Sequence, residues 1–161
     1  MYPIETPFSS LGSGVHYNRR WSHKAALVLA AIRRQTPLFD SELPNTGTVR
    51  GDVLTILGRI SQRMQEIDPE TLTGLLADYG KNIPIDLRRN VEERGTHVMQ
   101  EILRQCVQRG EVRADRLTPR IAALPINLLY HDLLITQTPV TDEGTQEIVD
   151  TIFLPLVRVQ D

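Results

Sequence analysis

Residues 118–136 read TPRIAALPINLLYHDLLIT, and this stretch decides the fold. Thr118 can accept a hydrogen bond from the first turn of a helix, and Pro119 fits the first helical position, where no backbone N–H is needed. Apolar residues then cover most of the helix circumference, which is typical of a helix buried on more than one side. A second copy of the chain is a natural cover for the second side. Pro125, inside the stretch, is expected to kink the helix.

Capping signals and apolar residues at helical spacing predict further helices on both sides of this stretch. The last of them carries an apolar stripe made of Ile148, Ile152, Phe153 and Leu156. The predicted helices run from about His23 to Gln35, Val49 to Ile67, Pro69 to Tyr79, Pro84 to Arg109, Pro119 to Thr136, and from Thr141 towards the C-terminus. The sequence shows no strand pair and no internal repeat. The prediction is therefore an all-α protein, a bundle of about six helices.

Composition and charge narrow the class of protein. Hydrophobic residues make up 40% and charged residues 24%, which is typical of a folded domain, and the aromatic share of 5% favours helix packing over a β-sandwich. The formal net charge of −2 predicts no overall attraction to nucleic acid, so any DNA contact must come from a local basic patch. One cysteine, no secretory signal and no membrane-length apolar run indicate a cytoplasmic protein without membrane contact.

Candidate catalytic and metal-binding residues are sparse. His97, Cys106 and His131 lie on two different predicted helices without the short spacings of metal sites, so we expect no metal and no cofactor. The pair His131 and Asp132 has no nucleophile or second carboxylate nearby in the sequence, and a helix-surface pair is the better interpretation. Cys106 sits on an apolar stripe, as small core residues do. The sequence therefore predicts that the protein is not an enzyme.

Four larger side chains lie on the inner or border faces of helices that would surround a bundle cavity: Met64, Tyr79, Met99 and Tyr130. Methionine and tyrosine often line adaptable pockets for small molecules. Ordinary core packing is the alternative interpretation of the same residues. They are candidate ligand-binding residues, and both interpretations stay open.

Two segments resemble TetR-family transcriptional regulators. Residues 19–28, RRWSHKAALV, resemble the end of the family's helix-turn-helix, which reads roughly Tyr-Arg-Arg-Trp-Pro-Ser-Lys-Ala-Ala-Leu. Residues 109–115, RGEVRAD, stand where such proteins carry an Arg-Gly-Glu-Leu-Arg-x-Asp turn. The two apolar helices that follow are where the family dimerises. The resemblance covers about Arg19 to Val157 and implies a TetR-like C-terminal domain.

The resemblance implies a division into two parts. Residues 1–22 form an irregular N-terminus with the remnant of a helix-turn-helix, and residues 23–161 form a helical domain for ligand binding and dimerisation. Family members carry three N-terminal helices, whereas Met1 to Val15 shows no helical period. Three explanations stay open: the chain starts downstream of the true start, a deletion removed the DNA reader, or the protein has lost DNA binding.

The remnant still carries residues suited to the DNA backbone. Lys24 at a predicted helix start places an ammonium group beside free backbone N–H groups, which suits a phosphate. Arg19 and Arg20 add positive charge. The tyrosine that binds phosphate in the family aligns with Asn18, and Tyr17 is its neighbour. These residues would position the protein on DNA, whereas sequence preference needs contacts to base edges.

The resemblance implies a homodimeric transcriptional repressor. Its partners would be a second copy, operator DNA if the N-terminal reader is intact, and a small apolar or amphipathic effector held in the helical body. The residues expected at the dimer interface come from the last two helices: Leu124, Leu128, Ile148, Ile152 and Phe153. The alternative is a dimeric ligand-binding or interaction module that no longer reads DNA.

Overall fold

The predicted all-α class is confirmed in the computed structural model of the chain, which describes residues 42–79, 84–136, 138 and 140–159. The helix predicted from His23 to Gln35 lies outside these residues. Within them the chain forms helices α1 Val49–Gln65, α2 Pro69–Tyr79, α3 Ile85–Gln108, a 3₁₀ turn Ala114–Arg116, α4 Pro119–Thr136, α5 Asp142–Glu147, a π-helical turn Ile148–Phe153 and α6 Leu154–Val157. We call α5, the π turn and α6 together the final helix.

Three helix starts that the sequence predicted from a capping residue are each confirmed by a hydrogen bond, whereas the cap predicted at Ser22 lies outside the described residues. Asp68 Oδ1 accepts from the Thr71 N–H at 2.8 Å, and Pro69 begins α2 directly after it. Thr118 and Thr141 cap α4 and α5 in the same way through their hydroxyl oxygens, at 3.2 and 3.1 Å. These contacts satisfy N–H groups that have no partner inside the helix, so local sequence alone determines where these helices begin.

The turn after α3 is fixed by glycine. Gly110 has a φ of 80°, a backbone conformation that side chains with a Cβ rarely adopt. The chain then meets its own C-terminal end: Arg113 N–H donates to Val157 at 2.9 Å, and Val159 N–H donates to Glu111 at 3.2 Å. These bonds flank an isolated antiparallel bridge between Val112 and Arg158, so the C-terminal segment is tied to the α3–α4 connection.

The core lies between α1, α3, α4 and the final helix, with α3 against α4 as its largest helix contact. All four contribute side chains with almost no exposure, so they share one hydrophobic core. Its most deeply buried apolar members are Val49, Val53, Ile56, Leu57, Ile60, Met99, Ile102, Leu103, Val149, Phe153 and Val157.

Helix α4 divides its apolar residues between two faces. The inner face buries Ile126, Leu129 and Leu133 in the core. On the outer face Leu128 is half-buried, and Ile135 keeps 71% of its surface exposed. Within the described residues, the chain therefore covers only one side of this helix and leaves Leu128 partly and Ile135 largely uncovered on the other side.

The final helix departs from the predicted stripe. Ile148 and Phe153 are buried, whereas Ile152 and Leu156 are 39% and 43% exposed, so the prediction that they share one face is wrong. The buried positions of the final helix follow each other in steps of four residues: Thr145, Val149, Phe153 and Val157. The three steps together span twelve residues. Three turns of α-helix take about eleven.

The π turn at Ile148–Phe153 accommodates this additional residue and keeps both halves of the final helix facing the core. Pro155 favours the irregularity because it has no N–H to donate to the carbonyl of Thr151, its partner in a regular α-helix.

Candidate functional site

The residues predicted to contact DNA lie outside the described part of the chain. They are Tyr17, Arg19, Arg20 and Lys24, and the predicted boundary between residues 22 and 23 lies there as well. Their roles remain predictions.

The residues predicted to bind a ligand fall into different environments. Met99 of α3 has no exposed surface and lies in the core, and half-buried Tyr130 of α4 packs against that core. Met64, near the end of α1, is half-buried and is not among the side chains packed on the core cluster. Tyr79 ends α2, and its side chain lies outside what the structure describes. The geometry thus brings Met99 and Tyr130 to the same core and leaves Met64 apart.

A groove of about 250 Å³ opens between α3 and α4. Its lining combines apolar side chains with two long polar ones and consists of Gln100, Arg104, Val107, Ala114, Leu117 and Ala122. The guanidinium of Arg104 forms an ion pair with Glu101, and both side chains reach solvent. Met64, Met99 and Tyr130, the predicted ligand residues whose side chains the structure describes, do not line this groove.

The five residues predicted at the dimer interface separate into two sets. Ile148 and Phe153 are 3% and 0% exposed, so their side chains support the surface from below and do not form it. Ile152 is exposed, and Leu124 and Leu128 are half-buried on α4. The π turn explains this division, because it directs the Phe153 side chain into the core while the neighbouring Ile152 side chain faces solvent.

An outer apolar face runs along α4 and the final helix, which pack against each other. We define the outer apolar face by Leu124, Leu128, Ile135, Ile152 and Leu156. Spacings of four and seven residues place the first three on one side of α4, and a spacing of four places the last two on one side of the final helix. The face joins apolar side chains from neighbouring helices, which is typical of a protein–protein interface.

An ionic cluster around the buried Asp52 was not predicted from the sequence, and we call it the Arg109 cluster: Asn45, Thr46, Asp52, Cys106, Arg109 and Glu111. The guanidinium of Arg109 donates to Asp52 Oδ2 at 2.7 Å, to Glu111 Oε1 at 2.6 Å and to Asn45 Oδ1 at 3.0 Å. Asp52 has no exposed surface. The signal in the sequence is the Arg-Gly-Glu turn at residues 109–111, whose partners lie some fifty to sixty residues earlier in the chain.

Asp52 and Glu111 each hold backbone N–H groups as well. The N–H and the hydroxyl of Thr46 donate to Asp52 Oδ1 at 2.5 and 2.8 Å. The N–H of Val49, the first residue of α1, donates to Glu111 Oε2 at 2.7 Å. A carboxylate that accepts several hydrogen bonds can remain ionised while buried, because these bonds replace those it loses from water.

The pKa values within the cluster follow from these contacts. Burial by itself would raise the pKa of Asp52, but hydrogen bonds from Thr46 and Arg109 outweigh burial and leave that pKa below its ordinary value. The pKa of Arg109 is raised, first by its hydrogen bond to Glu111 and then by that to Asp52. Burial raises the pKa of the Cys106 thiol to about 12. The cluster therefore contains an ionised Asp52, a charged Arg109 and a protonated Cys106 at neutral pH.

The Asp52→Asn variant is expected to be less stable than the parent near neutral pH, and the difference is expected to shrink in acid. The ionised carboxylate stabilises the fold above its unfolded-state pKa of about 3.9, and this stabilisation is lost as the pH falls through the lower folded-state pKa. Urea unfolding at about pH 7 and about pH 3 measures the difference. Asp115→Asn, at an exposed ion pair, is the control with a small effect. A stability gap for Asp52→Asn that widens in acid would contradict this assignment.

The expected absence of a metal site was based on His97, Cys106 and His131. In the part of the chain that the structure describes, no three histidine, cysteine or acidic side chains converge to hold an ion. His131 Nδ1 lies 3.5 Å from Asp132 Oδ1, and both side chains are exposed. Among the described helices, none combines the length and apolar character that crossing a bilayer requires.

The family whose model matches the chain is described as "Tetracyclin repressor-like, C-terminal domain", and the match covers residues 43–152. The matched range includes α1 to α5, most of the π turn and the Arg109 cluster. No solved structure shows a significant match to the chain.

Two relatives extend the comparison. The chain is 28% identical over 142 residues to a DNA-binding transcriptional repressor TetR of Mycobacteroides abscessus, covering 87% of this chain and 74% of that protein. It is 31% identical over 142 residues to an uncharacterised HTH-type transcriptional regulator of Mycobacterium tuberculosis, covering 85% of this chain and 68% of that protein. The shares of this chain that the two alignments cover are longer than the stretch from residue 42 to the end, so the similarity includes part of residues 1–41.

Proposed function

Because the chain belongs to the TetR family of transcriptional regulators, we propose that it is a homodimeric repressor that binds operator DNA through its N-terminal segment. A small apolar or amphipathic effector would bind in the helical body and change the affinity for DNA. The observation that carries the proposal is the similarity to a DNA-binding repressor, which covers 87% of this chain and therefore reaches into residues 1–41. A repressor acts on the chromosome, so the proposal places the protein in the cytoplasm.

Dimerisation is supported by the outer apolar face. Water contact with Ile135, Ile152 and Leu156 is unfavourable, and a second copy related by twofold symmetry would bury the same face on both subunits. Leu124 and Leu128 complete the proposed interface, while Ile148 and Phe153 hold it from the core side. The face involves the last two helices, as the family resemblance implies.

Effector binding is proposed for the region of Met99 and Tyr130, which share the core between α3 and α4. Met64 and Tyr79 are retained as candidate contacts from α1 and α2. Coupling requires that the effector bind one arrangement of the dimer better than the other, because only differential binding shifts such an equilibrium.

Fluorescence-anisotropy titration of the full chain tests DNA binding directly. The labelled duplexes are the region upstream of its own gene and a scrambled duplex of equal length, each at low and at physiological salt. We expect tighter binding to the upstream duplex that persists at physiological salt, because base-edge contacts depend less on salt than phosphate contacts do. Equal binding to both duplexes that is lost with salt would sink the DNA-reading proposal and favour a dimeric module without operator recognition.

Replacement of Lys24 by alanine is expected to weaken binding to both duplexes by a similar factor. A phosphate contact carries no sequence information, so its loss should also lower the slope of log affinity against log salt by about one. Arg113→Ala, which removes an arginine from an exposed ion pair in the helical body, is the matched control. A loss confined to the upstream duplex would show that Lys24 does more than bind phosphate.

Replacement of Ile152 by aspartate is expected to convert the dimer into a monomer. A carboxylate placed in a closed apolar interface has no partner there, which should weaken dimerisation by about a hundredfold or more. Size-exclusion chromatography with light scattering gives the mass at micromolar concentrations. Thr151→Asp, at the exposed preceding residue, is the matched control and should keep the dimer mass. A dimer mass for Ile152→Asp would place the interface elsewhere.

A further inference from the structure

The first turn of α1 is held to the connection between α3 and α4. The Val49 N–H donates to Glu111 Oε2 at 2.7 Å, and Arg109 Nη2 donates to Asp52 Oδ2 at 2.7 Å. Both are hydrogen bonds to charged groups, which are stronger than bonds between neutral groups. The first turn of α1 therefore has a fixed place beside the end of α3.

From this place α1 reaches the π turn of the final helix through Arg50. The guanidinium donates from Nε to Asp150 Oδ1 at 2.7 Å and from Nη2 to Asp150 Oδ2 at 2.8 Å, so each carboxylate oxygen has its own nitrogen. The hydrogen bond from Arg50 also keeps the pKa of Asp150 below its ordinary value. A contact at two points sets the direction of both side chains as well as the distance between them.

The C-terminal end of the final helix is held by the same α3–α4 connection. The Val159 N–H donates to the carbonyl of Glu111 at 3.2 Å, and the Arg113 N–H donates to the carbonyl of Val157 at 2.9 Å. The side chain of Glu111 meanwhile holds the first turn of α1. Beyond its packing on the core, the final helix is thus attached at its π turn and at its end, and both attachments lead back to the first turn of α1.

The irregular backbone of the final helix makes these attachments important. The π turn Ile148–Phe153 interrupts the regular α-helical hydrogen bonds, and Pro155 has no N–H to donate. Ile152 and Leu156, which belong to the outer apolar face, lie on this irregular part. Because Asp150 is two residues before Ile152 in the same turn, the position of its carboxylate affects where the Ile152 side chain points.

We infer that Arg50 is a positioning residue for the dimer interface: by holding Asp150 it sets the π turn so that Ile152 lies in one surface with the outer residues of α4. The inference deepens the proposed function and rests on the dimer proposed there. Arg50 is not part of the outer apolar face and acts on it through the π turn. Without Arg50 the π turn would populate several positions, and only one of them would match a second copy of the chain.

The size of the effect depends on there being two subunits. Arg50 and Asp150 are both partly exposed, and the loss of such an ion pair changes a conformational equilibrium by up to about fivefold. If the matching position of the π turn becomes about threefold less populated in each subunit, the dissociation constant of the dimer rises about ninefold, because the two fractions multiply. Arg50→Ala is therefore expected to weaken the dimer by about ninefold without unfolding the helical body.

Sedimentation velocity over a dilution series of the full chain measures the dissociation constant. Arg50→Lys keeps the charge but has one nitrogen, so it cannot hold both oxygens of Asp150, and its dissociation constant should lie between those of the parent and Arg50→Ala. Arg63→Ala, which removes an arginine from an ion pair at the other end of α1, is the matched control and should dissociate like the parent. A dissociation constant for Arg50→Ala equal to the parent's overturns the inference.

Amide exchange measured by NMR tests the positioning separately from dimerisation. The Leu154 N–H donates to the carbonyl of Val149 across the π turn, and Ile102, buried in α3, reports the fold as a whole. In Arg50→Ala we expect Leu154 exchange to accelerate by about threefold relative to Ile102 exchange, because the π turn loses an attachment. Arg63→Ala should leave this ratio as it is in the parent. An unchanged ratio in Arg50→Ala overturns the inference whatever the dissociation constant.

The two measurements also separate the inference from the proposed function. A parent that stays a monomer at every concentration counts against the proposed dimer, and the exchange ratio then still decides whether Arg50 positions the π turn. If Arg50→Ala loses its helical circular dichroism, Asp150→Asn becomes the deciding variant, because it keeps the shape of the side chain and removes its charge. Weaker dimerisation together with a raised exchange ratio in that variant supports the inference, and values equal to the parent's overturn it.

Discussion

Replacing Arg109 with methionine is expected to lower the free energy of unfolding by about 3 kcal/mol, near the lower end of the range for breaking a buried ion pair. Asp52 keeps its charge without any exposed surface, and only Thr46 and the weakly donating Cys106 thiol, 3.7 Å away, remain as partners. The lower end applies because the Arg109 side chain is itself 24% exposed. Urea unfolding followed by circular dichroism measures the change.

Arg113→Met is the matched control for Arg109→Met. Arg113 also pairs with an aspartate, but both side chains are largely exposed, so the loss should stay within about 1 kcal/mol. Adding Asp52→Asn to Arg109→Met should recover part of the lost stability, because no unpaired charge then remains buried. If Arg109→Met loses no more than Arg113→Met, the cluster does not carry a desolvated charge at neutral pH.

Replacing Phe153 with alanine is expected to lower the free energy of unfolding by about 3–5 kcal/mol, the usual range when a buried aromatic ring leaves a cavity. Phe153 has no exposed surface and closes the π turn of the final helix against the core. The loss should be largest if the π turn prevents the neighbouring backbone from collapsing into the cavity. The same urea titration measures it, at protein concentrations held equal because dimerisation contributes to stability.

Ile85→Ala is the control for Phe153→Ala. Ile85, the first residue of α3, is 53% exposed and lies outside the proposed interface, so its truncation should change stability by less than about 1 kcal/mol. Equal losses in the two variants would mean that Phe153 does not occupy a fully buried core position.

The starts of α2, α4 and α5 could be predicted from the sequence because each depends on neighbours in the chain. Asp68 before Pro69 and Thr118 before Pro119 each bring the cap and the fixed backbone angle within two residues. The capping hydrogen bonds span only three residues, so no information from the rest of the fold is needed. The all-α class follows from the same local signals.

The stripe of the final helix could not be predicted, because the sequence was interpreted with a constant α-helical pitch. Its apolar residues fit that pitch only after one residue is absorbed in the π turn, and the turn is stabilised by packing on the core. The Arg109 cluster escaped prediction for a different reason. Arg109 and Asp52 are 57 residues apart, and their pairing depends on how α1 and α3 are placed side by side.

The kind of candidate site could be predicted from the sequence, but not all of the residues that form it. The excess of apolar residues on α4 indicated a second covered face, and the structure leaves that face open to solvent at Ile135. The residues of the final helix that belong to this face depend on the π turn. The prediction put Ile148 and Phe153 at the surface with Ile152, whereas the structure buries both of them beneath it. The predicted DNA contacts lie outside the described residues and are tested by the DNA titration.

Because Cys106 is buried, the rate at which its thiol reacts reports how often the helical body opens. Thiol reagents react with the thiolate, and at neutral pH that form is suppressed in a group whose pKa is raised to about 12 and whose sulfur is fully covered. With a single cysteine in the chain, each alkylation event records an opening that uncovers Cys106. The rate of alkylation in an excess of reagent then measures how often the helical body opens, with or without DNA or a candidate effector present.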